Sequence, residues 1–206
     1  MPNKTTSQTK QRIYTIGHSN HSIDTFLALL KKNQIEVLVD TRSKPYSKHA
    51  PHFALEPLSS ITTNAGIKYV FLGKELGGRP EGEEFYDSEG HVLYWRLANS
   101  PDFNTGIRCL EEELQKHRVA ILCSEEDPSG CHRRLLVGRV LARHGIVQEH
   151  IRGDGRLQSD EEVKKMSDSP VTEQKPLFQQ KQNRKEVWRS IQSVSPKGRL
   201  PSSSEL

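Results

Sequence analysis

Thiols, imidazoles and guanidinium groups, which enzymes use as nucleophiles, proton carriers and anion ligands, occur close together in one stretch of this sequence. Cys123 follows the apolar run 119–122, and Cys131, His132 and Arg133 are consecutive shortly after it. A thiol at the end of a strand, with basic side chains nearby and a helix N-terminus following, has surroundings that lower a cysteine pKa. The stretch predicts Cys123 as a nucleophile and Cys131 as its partner. The alternative is that both thiols fill the core as small apolar side chains.

Two further polar clusters follow apolar runs. His18 comes after the run 13–16 and is a candidate general base near neutral pH, unless it only caps a loop. Asp40 and Arg42 come after the run 37–39 and point to the same side if the chain stays extended. We expect these two residues either to take part in proton transfer and ligand binding or to form a structural ion pair.

The residues around these clusters predict an anionic ligand. The stretch 123–134 reads as strand, loop and helix, so backbone N–H groups at the helix start and the guanidinium of Arg133 can hold an anion. The expected substrate-binding residues are Ser19, Arg42, Lys44, Glu125, His132 and Arg133. The cysteine–arginine spacing of the cysteine phosphatases is absent, and so are the glycine-rich signatures of nucleotide-binding loops.

A metal site is not predicted, and no cofactor is indicated. Cys123 and Cys131 have seven residues between them, unlike the roughly two to four of structural zinc pairs. The side chains of Cys131 and His132 are adjacent in the chain, so we do not expect both to face one ion.

The elements that must position these residues alternate along the chain. Short β-branched runs are followed by stretches of helical period, which predicts an α/β fold with helices on both faces of a parallel sheet. The predicted strands cover residues 12–17, 35–40, 67–72, 119–123 and 146–151, and the predicted helices begin near residues 22, 57, 101 and 131. We therefore expect a single open, mainly parallel, five-stranded sheet. Ligands of such sheets bind beyond the carboxyl ends of the strands, where the polar clusters fall.

The segments outside this pattern divide the chain. Residues 1–11 are expected to be a disordered N-terminus, residues 12–157 the α/β domain, and residues 158–206 a polar, disordered tail. Within that tail, Trp188 and Ile191 fit a short helix over residues 183–193 that docks on a partner, although such fragments also occur by chance. The glycine-rich stretch 73–90 is predicted to be a lid or rim of a site.

Composition limits the class of protein. The 206 residues carry a net charge of +4, and 33 % of them are hydrophobic, which fits one domain with a polar tail. The mild positive charge allows an anionic ligand and is too small for a nucleic-acid packaging protein. No apolar run is long enough to cross a bilayer and the first residues lack a secretory signal. We therefore expect a cytoplasmic protein with free thiols and no membrane partner.

Four ordered motifs together resemble a known family. They are Thr15-Ile16-Gly17-His18-Ser19, then Val39-Asp40-Thr41-Arg42 with Pro45, then Leu76-Gly77-Gly78-Arg79, and finally Leu122-Cys123-Ser124-Glu125 with Cys131-His132-Arg133-Arg134. The combination is similar to that of the domain of unknown function 488 family, over roughly residues 12–151. This resemblance implies a compact α/β domain with a shared polar site, and it implies no particular reaction, substrate or cofactor.

The leading hypothesis is a small cytoplasmic enzyme that acts on a phosphate-bearing or nucleotide-like anionic substrate. In this hypothesis Arg42 and Arg133 hold the anion. Cys123 is the nucleophile, and His18 or Asp40 moves a proton.

Two other hypotheses remain open. The first is a nucleic-acid-binding or adaptor module without turnover, in which the basic stretch 42–49 follows a phosphate backbone and Tyr46 stacks on a base. The second is a redox-responsive pair of Cys123 and Cys131, which requires their Cα atoms to lie within about 7 Å of each other.

Overall fold

The centre of the protein is a six-stranded sheet. The computed structural model describes residues 11–46, 50–168 and 187–194. Its strands are β1 (Arg12–Gly17), β2 (Val37–Asp40), β3 (Lys68–Phe71), β4 (Val119–Cys123), β5 (Val147–Ile151) and β6 (Leu157–Ser159), in the order β3-β2-β4-β1-β5-β6. The first five pair in parallel, and β6 is antiparallel to β5. The predicted α/β class and open, mainly parallel sheet are confirmed, with β6 as an additional strand.

Helices cover both faces of this sheet. They are α1 (Ile23–Lys32), α2 (Leu55–Asn64), α3 (Tyr94–Leu97), α4 (Pro101–Leu114), a π-helix (Arg133–Gly138), α5 (Arg139–Arg143) and α6 (Asp160–Asp168), with 3-10 turns at Pro51–Phe53 and Glu83–Phe85. The core on one face contains residues of α1 and α2, and the core on the other contains residues of α4, the π-helix and α5. Within the described ranges, no helix has the length and apolar character needed to cross a membrane.

Local sequence explains where the helices begin. The Ser22 hydroxyl accepts a hydrogen bond from the N–H of Thr25 and caps α1, and Ser100 caps α4 in the same way. The second helix starts at Leu55, slightly before the predicted start at Pro57, because proline is tolerated within the first turn. The helix predicted from residue 131 to residue 144 is a π-helix followed by α5, and the wider turn buries both Leu136 and Val137.

The domain continues beyond residue 157, where the sequence pattern predicted a tail. Strand β6 extends the sheet, and α6 packs its one buried apolar residue, Val163, against the domain. An ion pair between Arg134 and Asp160 ties the start of α6 to the π-helix. A single buried apolar residue produces no hydrophobic period, so this part of the domain reads as polar in the sequence.

Residues 187–194, the C-terminal strap, return to the same domain. The Trp188 indole N–H donates to the carbonyl of Leu135, and Ser193 forms an antiparallel bridge with His91. The strap is non-helical, which differs from the predicted helix over residues 183–193. Trp188 packs within its own chain, whereas the sequence suggested docking on a partner. The rest of the predicted tail, and residues 1–10, lie outside the described residues.

Candidate active site

The segments that follow neighbouring strands of the sheet diverge to opposite faces at the carboxyl end of β4, which lies between β2 and β1. After β1 and β2 the chain turns to the face covered by α1 and α2, whereas after β4 it turns to the face covered by the π-helix and α5. Such a reversal in an open parallel sheet leaves a crevice between the diverging loops. Cys123, the last residue of β4, lies at this crevice.

An open cavity of about 410 Å³ occupies the crevice. Its lining comes from the segments after β2 and β4, the glycine-rich rim and the C-terminal strap: Arg42, Ser43, Lys44, Tyr46, Gly78, Arg79, Tyr94, Cys123, Ser124, Glu125, Gly130, His132, Ser190, Gln192 and Val194. Five of the predicted site residues are therefore brought together here, namely Arg42, Lys44, Cys123, Glu125 and His132. Among the charged side chains of this lining, the cationic Arg42, Lys44 and Arg79 outnumber the carboxylate of Glu125.

The imidazole of His132 links the cavity thiol to the backbone. Its Nδ1 atom lies 3.6 Å from the Sγ atom of Cys123, and its Nε2 atom lies 3.1 Å from the carbonyl oxygen of Thr41. A carbonyl oxygen only accepts hydrogen bonds, so Nε2 carries a proton and Nδ1 is the atom that exchanges one with the thiol. This arrangement of nucleophile, base and orienting acceptor is the one that activates cysteine and serine nucleophiles. Thr41 was not among the predicted site residues, because its contribution is a main-chain oxygen.

The sulfur of Cys131 lies within 4.8 Å of the sulfur of Cys123. Hydrogen bonding from Cys131 and the neighbouring His132 imidazolium hold the pKa of Cys123 well below its ordinary value, against the opposing effect of burial. Burial and the adjacent Cys123 sulfur raise the pKa of Cys131 well above its ordinary value. Burial lowers the pKa of His132, but the charge and hydrogen bond of Cys123 outweigh it, so the net shift is upward. The three groups therefore favour a Cys123 thiolate, a Cys131 thiol and a His132 imidazolium.

The same three residues form a potential metal-binding group. Ligand atoms of Cys123, Cys131 and His132 all lie within 4.8 Å of one another. The expectation that the adjacent Cys131 and His132 cannot face one point was wrong, because Cys131 precedes the helix and its side chain does not follow the helical rotation. Two thiolates and an imidazole are a donor set that zinc accepts.

A buried ion pair supports the other side of the cavity. The guanidinium of Arg42 donates from Nε to Asp40 Oδ1 at 2.9 Å and from Nη2 to Oδ2, and both side chains are buried. The Tyr69 hydroxyl donates to Asp40 Oδ2 at 2.6 Å. Asp40 thus has its acceptors occupied by protein groups, whereas Arg42 also lines the cavity. This arrangement suits Arg42 for holding a ligand and Asp40 for positioning it.

The glycine-rich stretch 73–90 contributes part of the rim, in agreement with its predicted place. Ser43 Oγ accepts the backbone N–H of Arg79 at 2.9 Å, which fixes Arg79 beside the cavity. A Cβ atom on Gly78 would lie 2.7 Å from the imidazole ring of His132, so only glycine allows the rim to approach the base this closely. Arg79 was missed as a site residue, although its motif, Leu76-Gly77-Gly78-Arg79, had been singled out.

A family comparison covers the segment that carries most of this geometry. The family model described as Domain of unknown function DUF488 matches residues 22–140, more than half of the chain. The chain belongs to the DUF488 family. No curated protein and no solved structure matches the chain. The matched segment of this DUF488 protein contains the Cys123, Cys131 and His132 group, whereas His18 and the C-terminal strap lie outside it.

Two predicted residues of the DUF488 chain lie beside the cavity and do not line it. His18 is buried, stacks on Phe53 with ring centroids 4.4 Å apart, and places Nδ1 2.9 Å from the carbonyl of Ser19. Burial, with a smaller contribution from Arg42, lowers the pKa of His18 to about 4. Ser19 adopts a positive φ of 47°, and its hydroxyl donates to the side chain of Asn20. This placement makes His132 a better general base than His18.

Arg133 lies beneath the cavity in this DUF488 protein. It is 1 % exposed, and its guanidinium donates to the carbonyls of Glu125 and Glu126 and to the hydroxyl of Thr15. It also lies 3.8 Å from the Cys131 sulfur. These contacts clamp the loop that follows Cys123, so the placement of Arg133 favours a positioning role and offers an anion little access.

Proposed function

We propose that this protein is a thiol enzyme in which Cys123 attacks an anionic, phosphate-bearing or nucleotide-like substrate. The observation that carries this proposal is the short relay from the Cys123 sulfur through the His132 imidazole to the Thr41 carbonyl, with distances of 3.6 Å and 3.1 Å. A nucleophile, a base and a group that orients the base, all beside one cavity, are the parts that nucleophilic catalysis requires.

The reaction takes place in two steps. The Cys123 thiolate forms a bond to the electrophilic atom of the substrate, the bond to the leaving group breaks, and the leaving group takes a proton from His132. Water then attacks the covalent intermediate and gives a proton to His132. The bond to sulfur breaks, and the Cys123 thiolate and His132 imidazolium are restored. No oxidant or reductant is needed.

The charges around the cavity support an anionic substrate. Arg42, Lys44 and Arg79 line the cavity, and Glu125 is the acidic side chain on its wall. The side-chain nitrogens of Arg42 that face Asp40 are fixed, which holds the guanidinium plane and leaves one edge for a phosphate oxygen. Tyr94, which also lines the cavity, supplies a hydroxyl whose pKa is raised by burial, so it acts as a hydrogen-bond donor.

The first experiment is iodoacetamide labelling of the full chain across pH, with the labelled cysteine identified by peptide mass spectrometry. We expect Cys123 to react with a pH midpoint well below the value of about 8.5 for a free thiol. His132→Gln should move that midpoint upward, whereas His144→Gln, an exposed histidine on another surface, should not. A Cys123 that reacts only at alkaline pH, or a midpoint indifferent to His132, would refute the proposal.

A second measurement separates a nucleophile from a metal ligand. The purified protein is analysed for zinc and relabelled after treatment with a chelator. A free nucleophile reacts equally before and after chelation. Stoichiometric zinc that protects Cys123, and that is lost in both Cys123→Ser and Cys131→Ser, would replace the thiol enzyme with a zinc site. Turnover is then sought with phosphate monoesters and nucleotides, using Cys123→Ser as the inactive control.

A non-catalytic nucleic-acid-binding module is the second candidate. Its supporting observation is Tyr46, which is 76 % exposed at the cavity rim beside Lys44. An exposed aromatic side chain next to cationic groups can stack on a base of a single strand. Binding of a fluorescent oligonucleotide should weaken steeply with added salt, and Tyr46→Ala should weaken it further. Salt-independent binding or no binding would remove this candidate.

A further inference from the structure

We propose that the C-terminal strap is a specificity wall of the Cys123 cleft, which selects the molecules that reach the thiolate. The inference rests on the proposed function, because it assigns a role to a surface of that same site. Ser190, Gln192 and Val194 line the cavity. Three alternate residues in the second half of the strap therefore face the cleft.

Trp188 anchors the beginning of the wall. Its indole N–H donates to the carbonyl of Leu135 at 2.8 Å, and the guanidinium carbons of Arg139 and Arg143 lie 4.7 and 5.0 Å from the ring centroid. Tyr94 meets the same ring edge-on, with centroids 6.3 Å apart. Two cations on one indole and a satisfied indole N–H fix the side chain on the π-helix and α5.

Hydrogen bonds hold the middle of the wall against the segment before α3. The N–H of Ser190 donates to the carbonyl of Val92 at 2.9 Å, and the N–H of Val92 donates to the Ser190 hydroxyl at 2.9 Å. The N–H of Val194 donates to the carbonyl of Gly90 at 2.7 Å. These are reciprocal contacts of the kind that a strand makes in a sheet, so the cleft-facing residues have a fixed register.

Charge pairs hold the opposite side of the strap. Arg189 donates to the carboxylates of Asp87 and Glu89, and the Ser193 hydroxyl donates to the Glu89 carbonyl. Residues 189 and 193 thus face away from the cleft, while residues 190, 192 and 194 face it. The strap contributes the Gln192 amide to a cleft that Arg42, Lys44 and Arg79 also line.

The C-terminal strap lies outside the segment that the family model matches. The DUF488 match ends at residue 140, and the matched segment contains the thiol, the base and the cationic residues of the site. The chemical groups and the selective wall are therefore separate parts of the chain. The strap thus adapts the Cys123 site to the particular anion that this protein uses.

The test compares two alkylating reagents of similar size and different charge, iodoacetate and iodoacetamide, at low salt. Gln192→Glu adds a negative charge on the cleft face of the strap and keeps the side-chain shape. It should slow labelling of Cys123 by iodoacetate about threefold and leave labelling by iodoacetamide within about 1.5-fold of the parent value. Val187→Glu is the matched control, because it adds the same charge on an exposed residue of the strap outside the cavity lining. It should leave the ratio of the two rates unchanged.

A second variant tests the anchor. Trp188→Ala should speed Cys123 labelling by both reagents about fivefold or more, because the wall is released while the thiol is intact. Thermal unfolding of each variant shows that the domain is still folded. The proposal is refuted if Gln192→Glu leaves the ratio of the iodoacetate and iodoacetamide labelling rates unchanged and a folded Trp188→Ala variant labels Cys123 at the parent rates. The pH midpoint of labelling reports the thiolate separately, so failure of the proposed function and failure of the wall give different results.

Discussion

The sulfur atoms of Cys131 and Cys123 lie within 4.8 Å of each other, and the two buried cysteines have opposite properties. The pKa of Cys123 is held well below its ordinary value, first by hydrogen bonding from Cys131 and then by His132, whereas burial and the Cys123 sulfur raise the pKa of Cys131. The two pKa shifts thus favour one charged and one protonated sulfur within a single cluster.

Replacing the donor should therefore change the acidity of its neighbour. Cys131→Ala removes the hydrogen bond and should shift the pH midpoint of Cys123 labelling upward by about one unit or more, which corresponds to roughly 1.4 kcal/mol of lost stabilisation of the thiolate. Cys131→Ser restores an O–H donor and should keep most of the low midpoint. If Ala and Ser give the same midpoint, the hydrogen bond is not what stabilises the charge.

Mild oxidation should join the two sulfurs. With hydrogen peroxide, the Cys123 thiolate is oxidised to a sulfenic acid, and the Cys131 thiol then displaces water to form a disulfide. The sulfurs lie within 4.8 Å of each other, so a small movement brings them to bonding distance. Peptide mass spectrometry should show a Cys123–Cys131 crosslink that dithiothreitol reverses, with Cys109 left as a thiol. Accumulation of Cys123 sulfinic acid without a crosslink would contradict this prediction.

Loss of the Asp40 charge should destabilise the fold strongly. Asp40 and Arg42 are 0 % and 4 % exposed, so Asp40→Asn leaves a buried guanidinium without its counter-ion. Removing one partner of a buried pair typically lowers the free energy of unfolding by about 3–5 kcal/mol. Glu149→Gln is the control, because its pair with the half-exposed Arg12 spans 3.6 Å at the surface and should contribute less than about 1 kcal/mol. Urea denaturation measures both, and equal small effects would contradict the prediction.

The free energy of unfolding at acidic pH should depend on His18. Burial, followed by the nearby Arg42, lowers its pKa from 6.5 to about 4, so the unfolded chain binds a proton more readily than the folded one. This contribution to stability is complete above about pH 6.5 and is lost as the pH falls towards 4. Between pH 7 and pH 5 it amounts to about 2 kcal/mol. In urea denaturation, His18→Gln should reduce the pH dependence over this interval. A slope in His18→Gln equal to that of the parent protein would remove His18 as the cause.

Much of the scaffold could be predicted because the sheet is buried on both faces. Strands β1 and β4 have the bounds that their apolar runs predict, and β2, β3 and β5 begin one or two residues later than predicted. Since parallel strands direct their carboxyl ends to one edge, the convergence of Arg42, Cys123 and His132 also followed from the pattern.

The remaining features depend on contacts between distant parts of the chain. Tyr69 stands in a predicted strand, and only the pairing of β2 with β3 places its hydroxyl on Asp40. Arg133 looked like an anion ligand beside two cysteines, but the loop carbonyls of Glu125 and Glu126 occupy its guanidinium. Trp188 stands in a polar segment without hydrophobic period, the two cations that hold it come from α5, and the carbonyl that accepts its indole N–H comes from the π-helix. No local pattern encodes such partners.

The order of the strands in the sheet has a consequence for the newly made chain. In the centre of the sheet, Tyr14 of β1 pairs with Ala120 of β4, about a hundred residues further along the chain. A chain that leaves the ribosome N-terminus first must hold β1 without its central partner until β4 has been synthesised, and such long-range pairing is slow to form. The strap emerges after all the other described residues, so Cys123, His132 and Arg42 are in place before the cleft has its last wall. If the strap is the proposed wall, the Cys123 thiolate is more open to electrophiles during that interval than in the finished protein.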